Sequence, residues 1–286
     1  MVFARPKSAD ELRAVSGDEL RALVEKSPQI GARLVESAAK YGLLSAQLTF
    51  ARMLLHGHGV PVDQASACRW FAVAAETGDP EAINMLGRCH EFGWGVPVNR
   101  HNAASYYRQA SRKNYASAQY NLGQILLAGQ PSPAERREGL GWHLVAAKAG
   151  HAKSMNVVGR FCEEGWEMPK SVDNAIGWFR KAAEAGDCWG QFNLGRVLAD
   201  DGDIDQALVW LARSIEEGDD EFVAAIIPSL RQHPDPAVRA LGEAAARQDP
   251  KTASAGPELY PEPHRQARSR LGLGWLFGGP SGAPAR

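Results

Sequence analysis

Glycine recurs at Gly87, Gly123, Gly159 and Gly195, each 36 residues after the last, and Ala51 holds the same phase one period earlier. A second ladder runs in step with it: Trp70, Tyr106, Trp142 and Trp178 are also 36 apart, and Trp210 follows after 32. A fixed period of this length constrains the fold more than any composition does, because each unit is too small to bury its own apolar face and must stack on its neighbours. The chain is therefore expected to form a solenoid, an architecture that is first of all a long surface.

The unit reads most clearly over residues 81–113. From Glu81 to Phe92, Ala82, Met85, Leu86 and Cys89 fall at i, i+3, i+4 and i+7, one face of an α-helix. After the loop GWGVPVN, the segment Arg100 to Lys113 repeats that spacing with Ala103, Tyr106, Tyr107 and Ala110. Asn99 is a good N-cap for it, and Asp63, Asp173 and Asp205 are expected to do the same work in other copies. Gly78, Gly150, Gly186 and Gly218 follow the second helix, where a left-handed C-cap favours a residue without Cβ. The unit is helix–loop–helix–turn, so the fold class is all-α. Small residues (Ala46, Ala82, Ala118, Ser154 and Gly190, with the Gly87 series) mark where helices approach closely. The rings of Trp70–Phe71, Tyr106–Tyr107, Trp142–His143 and Trp178–Phe179 are expected to oppose them as core, bulky against small.

These columns resemble the Sel1-like repeat family, a branch of the tetratricopeptide-repeat superfamily. The residues that carry the resemblance are Ala82/Leu86/Gly87, Gly93/Gly95/Val96/Asn99 and Ala103/Tyr106/Tyr107/Ala110, with Ala46, Gly57/Gly59/Val60/Asp63 and Ala67/Trp70/Phe71/Ala74/Ala75/Gly78 in the preceding copy. The third copy departs from the Gly-x-Gly-Val loop with AGQPSPAE, the fourth with EGWEMPKS, and the fifth is four residues shorter. The resemblance implies an α-solenoid, a superhelical array of helix-turn-helix repeats over approximately 46–80, 81–115, 116–151, 152–187 and 188–219. A degenerate helical pair over 220–248 would close it, with Asp235 and Pro236 opening its second helix and Pro228 stopping or kinking its first. Ser27–Pro28 opens a longer helix through Tyr41, the start of a solenoid placed at 28–248. Residues 1–27 read as an N-terminal helical cap with capping boxes at Ser8/Glu11 and Ser16/Glu19. Residues 249–286 hold six glycines and six prolines, the composition of a disordered tail. Within that tail Trp275, Leu276 and Phe277 follow a basic cluster and form a candidate docking motif for a partner, a membrane surface or the solenoid itself.

The net charge of −1 gives no electrostatic case for nucleic acid or an anionic membrane. The N-terminal residues carry no apolar stretch of the signal-peptide kind, and no run of about 18 apolar residues marks a membrane span. The resemblance also raises an enzyme-like possibility, since some secreted Sel1-like proteins pair cysteines within each repeat and are linked to β-lactam binding or hydrolysis. Here Cys68, Cys89, Cys162 and Cys188 stand in four different repeats, and Cys89 and Cys162, alike in phase, are two units apart. They read as free thiols in a reducing compartment, and a cytoplasmic monomer is expected.

Candidate chemistry is sparse. His56 and His58 lie in a loop with no cysteine or carboxylate partner at ligand spacing, so they read as surface residues and no metal is expected. His143 stands in a ring column and is expected to be packed and hydrogen-bonded. No catalytic motif is present, and neither a cofactor nor an enzymatic activity is expected. One column does suggest a site. Arg52, Arg88, Gln124, Arg160 and Arg196 follow the packing position on each first helix, and Asn84, Tyr120 and Asn156 lie one turn earlier. The resemblance places first helices on the concave face, so these residues are expected to form a solvent-facing groove for a protein or peptide partner. Guanidinium groups suit its carboxylates and amides suit its backbone. The function expected is that of a non-enzymatic adaptor. A small-molecule-binding or β-lactam-hydrolase-like protein is one alternative, and a single-stranded-RNA-binding helical repeat is another.

Overall fold

The computed structural model describes residues 26–248; the capping boxes at Ser8/Glu11 and Ser16/Glu19 and the motif Trp275, Leu276 and Phe277 lie outside the described residues. Among the described residues there are 13 helices and no strand. They are α1 Pro28–Lys40, α2 Leu44–His56, α3 Gln64–Ala75, α4 Pro80–Phe92, α5 Arg100–Ser111, α6 Ala116–Leu127, α7 Pro133–Lys148, α8 Ala152–Glu164, α9 Val172–Glu184, α10 Cys188–Asp200, α11 Ile204–Glu217, α12 Asp220–Arg231 and α13 Pro236–Gln248. Tandem helix-turn-helix units of this kind make an α-solenoid. Its contacts fall into two compact units divided inside α6, between Leu122 and Gly123. Each has its own core: Ala32 to Cys89 in the first, Leu127 to Val238 in the second.

Caps account for most boundaries. Asp63 and Asn99 accept the Ser66 and Asn102 amides at 2.9 and 3.0 Å, as the sequence suggested. The fourth and fifth repeats differ: Ser171 and Asp203 take the N-cap, two residues before Asp173 and Asp205. Their side-chain oxygens reach the third amide first, which leaves the two aspartates inside the first turn, a position the helix dipole still favours. In the third repeat Ser132 and Glu135 close a reciprocal capping box with Pro133 at the first helical position, starting α7 early. Asp235 likewise caps α13. Pro228 does not stop its helix; α12 runs three residues further, to Arg231. The turn column is left-handed at Gly78, Gly150 and Gly186, and at Asn114, whose φ is 59°. Gly218 departs from it with an extended φ of −77°, and a Cβ there would meet the Phe222 ring at 2.3 Å.

The packing glycines show which ring of each adjacent pair does the packing. A Cβ on Gly87 would lie 2.5 Å from the Tyr107 ring, on Gly123 2.6 Å from His143, on Gly159 2.6 Å from Phe179 and on Gly195 2.6 Å from Leu211. Phe71, Tyr107, His143 and Phe179 are completely buried. The tryptophan ladder is not: Trp70, Tyr106, Trp142, Trp178 and Trp210 are all half-buried. The expectation that both members of each pair are core therefore holds for the second and fails for the first. Adjacent residues on a helix point about 100° apart, so only one can enter the glycine notch while the other lies along its rim.

Candidate functional site

The first-helix arginines are neither uniform nor fully solvent-facing; all four are half-buried. In the first unit Arg52 is ion-paired with Glu81 of the next first helix. Arg88 instead lies over two rings, with its guanidinium carbon 4.8 Å from the Trp94 centroid and 5.7 Å from that of Phe92. Those rings stack on each other at 5.2 Å, and Phe92 is 45% exposed. No carboxylate among the described residues lies within ion-pair distance of Arg88. Glu91, which feels its charge, accepts the Tyr107 phenol at 2.5 Å. Burial raises the pKa values of both Glu91 and Tyr107, so the pair stays protonated more readily than either group in water.

In the second unit Arg196 is held by both carboxylate oxygens of Glu163 at 2.7 Å and by Asp200 at 3.5 Å. Arg160 lies 5.9 Å from the Trp166 centroid, and burial pulls its pKa down. Gln124 is buried on α6, and Tyr120 is half-buried one turn before it.

The amides are not where a groove lining would need them. Asn84 and Asn156 are only 4% and 8% exposed. Each accepts a hydrogen bond from an asparagine on the next first helix, Asn121 to Asn84 at 2.9 Å and Asn193 to Asn156 at 2.8 Å. Their polar groups are committed sideways, from repeat to repeat, because a buried amide must find a partner. The residues that sequence reasoning passed over are Trp94 and Trp166, each six positions after its arginine. The Gly-Trp dipeptide in those two loops was the available signal.

The remaining candidates are placed plainly. The His56 and His58 rings are exposed and 5.9 Å apart, and among the described residues no group of three or more His, Cys, Asp or Glu is arranged to hold a metal. His143 is fully buried, its Nδ1 3.3 Å from the Ser154 hydroxyl, and burial pushes its pKa down to about 3. The Cys68 and Cys89 thiols, on α3 and α4, are free and buried, and each shifts the pKa of the other. That influence draws Cys68 down to about 7 and, with burial, drives Cys89 up. Among the described residues no helix is long and apolar enough to cross a membrane.

No curated protein matches the sequence. Several solved structures share its fold. A Sel1 repeat protein from Oxalobacter formigenes aligns with a TM-score of 0.67 at 21% identity, over 81% of this chain and 99% of that one. The protective antigen c5321 of uropathogenic Escherichia coli, which has an SLR fold, aligns at 0.63 and 22% identity, over 86% of this chain and 57% of that one. The immunity protein Pa5087 of Pseudomonas aeruginosa aligns at 0.50 and 16% identity, over 79% and 93%. The family model of the Sel1 repeat matches residues 35–79, 80–115, 116–151, 152–187 and 190–219. Sel1 repeats are in general protein-interaction scaffolds, and with five of them spanning most of its length this chain belongs to the Sel1 repeat family.

Proposed function

We propose that this protein is a non-enzymatic adaptor that binds an acidic segment of a partner protein, with Arg88 as its lead contact. The observation that carries this reading is the Arg88–Trp94–Phe92 stack. A guanidinium held over rings keeps N–H donors for a carboxylate, and those ring contacts hold it in place beforehand. Arg52 and Arg196, by contrast, already hold carboxylates of their own chain. Tyr120 extends the surface within the same unit, Arg160 and the buried Gln124 belong to the other unit, and Asn84 and Asn156 fix the spacing of adjacent repeats.

A peptide-display selection on the purified chain tests the reading. Selected peptides should be rich in Asp and Glu, and Arg88→Glu should abolish their binding by adding repulsion to the lost attraction. Peptides without acidic enrichment, or equal binding by the variant, would overturn it. Arg160→Glu is not an equivalent probe, because it puts a carboxylate into a site that already disfavours charge.

A further inference from the structure

The loops after α2, α4 and α8 follow one backbone path and differ at the residue that decides how closely they pack. Gly57, Gly93 and Gly165 end the three helices in the left-handed region. Two residues later stand Gly59 and Gly95, with φ of 72° and 70°, and then Glu167 at 54°. A Cβ on Gly59 would lie 2.1 Å from the Pro28 carbonyl oxygen, and one on Gly95 would lie 2.3 Å from the Ala65 Cα. The first two loops thus rest directly on the backbone of an earlier helix, and no side chain fits between. At 167 a glutamate occupies the same backbone state, which costs a residue with a Cβ about 1–2 kcal/mol. The fourth loop meets its neighbour, α7, through that glutamate side chain.

Beside this contact is a cleft of about 550 Å³ lined by Pro131, Arg136, Phe161, Gly165, Trp166 and Glu167. The change is matched across the gap. Arg137 follows Ala65 by two repeat lengths, as Glu167 follows Gly95, so a glycine-on-alanine contact has become a carboxylate between arginines. Glu167 lies 2.8 Å from Arg136 Nε and 3.8 Å from an Arg137 terminal nitrogen. Arg136 also donates to the Pro131 carbonyl at 3.0 Å. Glu167 thus lies between two guanidinium groups, of which Arg136 lines the cleft together with Phe161, Trp166 and Pro131. That volume is in the range of small-molecule sites, whose walls are mostly apolar with a few fixed polar groups.

We propose that this cleft binds a small apolar monocarboxylate, with the carboxylate at Arg136 and the apolar body against Trp166. Glu167 is then an internal competitor for the same cation. The site is separate from the Arg88 stack and does not depend on it.

Phenylacetate is the probe, phenylacetamide its uncharged twin, and acetyl-Gly-Gly-Phe with a free C-terminus stands for a protein chain end. Binding is followed by NMR titration of the tryptophan indole signals, with that of Trp166 assigned through Trp166→Phe. Phenylacetate should bind and phenylacetamide should bind at least about tenfold more weakly, the scale of one lost charged hydrogen bond. Glu167→Gln should tighten phenylacetate binding several-fold, Arg136→Gln should weaken it about tenfold, and Arg88→Glu should leave it unchanged. Equal binding of acid and amide, weaker binding by Glu167→Gln, or binding of the peptide alone would overturn the proposal. The comparison of acid with amide needs no variant, so it stands even if a substitution disturbs the fold.

Discussion

The glycine notch and the arginine column repeat with the same period and teach opposite lessons. In the notch, sequence periodicity becomes structural periodicity: four glycines receive four buried side chains within a tenth of an ångström of the same approach. In the column, the same residue type meets a different fate in almost every copy. Arg52 pairs with Glu81, Arg88 stacks on two rings, Arg160 lies by Trp166 and Arg196 is held by Glu163. The notch is closed on all sides by elements that themselves recur, so its geometry is over-determined. The column faces side chains free to vary, so a recurring arginine is only a recurring opportunity.

The largest expected effect separates the two members of a ring pair. Phe179 is completely buried against Gly159, so Phe179→Ala should cost about 3–5 kcal/mol in urea unfolding. Trp178, half-buried with Lys181 over its ring at 4.8 Å, should cost roughly 1–2 kcal/mol as Trp178→Ala. Equal losses would mean that the rim carries as much packing as the notch.

The next effect is a pH dependence placed in the notch by His143. Its folded pKa of about 3 lies far below the ordinary 6.5, so on acidification the unfolded chain binds a proton that the folded chain refuses. The stability this contributes is full above pH 6.5 and falls by about 1.4 kcal/mol per unit as pH drops from there toward 3. His143→Phe copies the Phe179 solution. Denaturant midpoints of variant and wild type, compared between pH 7 and 4.5, should show a flatter acid decline for the variant. Buried Glu91 and Asp187, raised by desolvation, act with the opposite sign, but they are common to both proteins and cancel in the difference. A parallel decline would show that His143 becomes protonated without unfolding.

The smallest effect tests the column. Arg196→Gln breaks a mostly buried pair, in which one guanidinium nitrogen donates to both Glu163 oxygens, and should cost about 1–2 kcal/mol. Arg88→Gln, which loses only stacking at a part-exposed surface, should cost under about 1 kcal/mol. Thermal melts of the two variants check the ranking, and a reversed order would make Arg88 a structural residue rather than one available to a partner.

Much of this was legible in the sequence. The helices, the caps at Asp63 and Asn99, and the glycines of the notch all follow from local preference and spacing. What stayed hidden depended on neighbours. A period of 36 cannot say which of two adjacent rings enters a notch, so Trp178 and Phe179 looked equivalent. Nor can it show that Asn84 would be covered and bonded to Asn121, a residue 37 positions away on another helix. At the N-termini of α9 and α11, Ser171 and Asp203 competed with Asp173 and Asp205 for one role, and spacing alone chose the wrong pair. The loop tryptophans were visible, but their relation to Arg88 and Arg160 exists only once the chain turns back at Gly93 and Gly165.

The asparagine pairs have a consequence for symmetry. They join Asn84 to Asn121 and Asn156 to Asn193, and the stacked arginines fall at 88 and 160. Both features recur after two repeats, not one. Like a crystal whose cell doubles when alternate sites differ, the sequence repeats its packing glycines every 36 residues and these pairings every 72. Insertion or loss of a single repeat would put the amides out of phase, whereas adding or removing repeats in pairs would keep every donor opposite its acceptor.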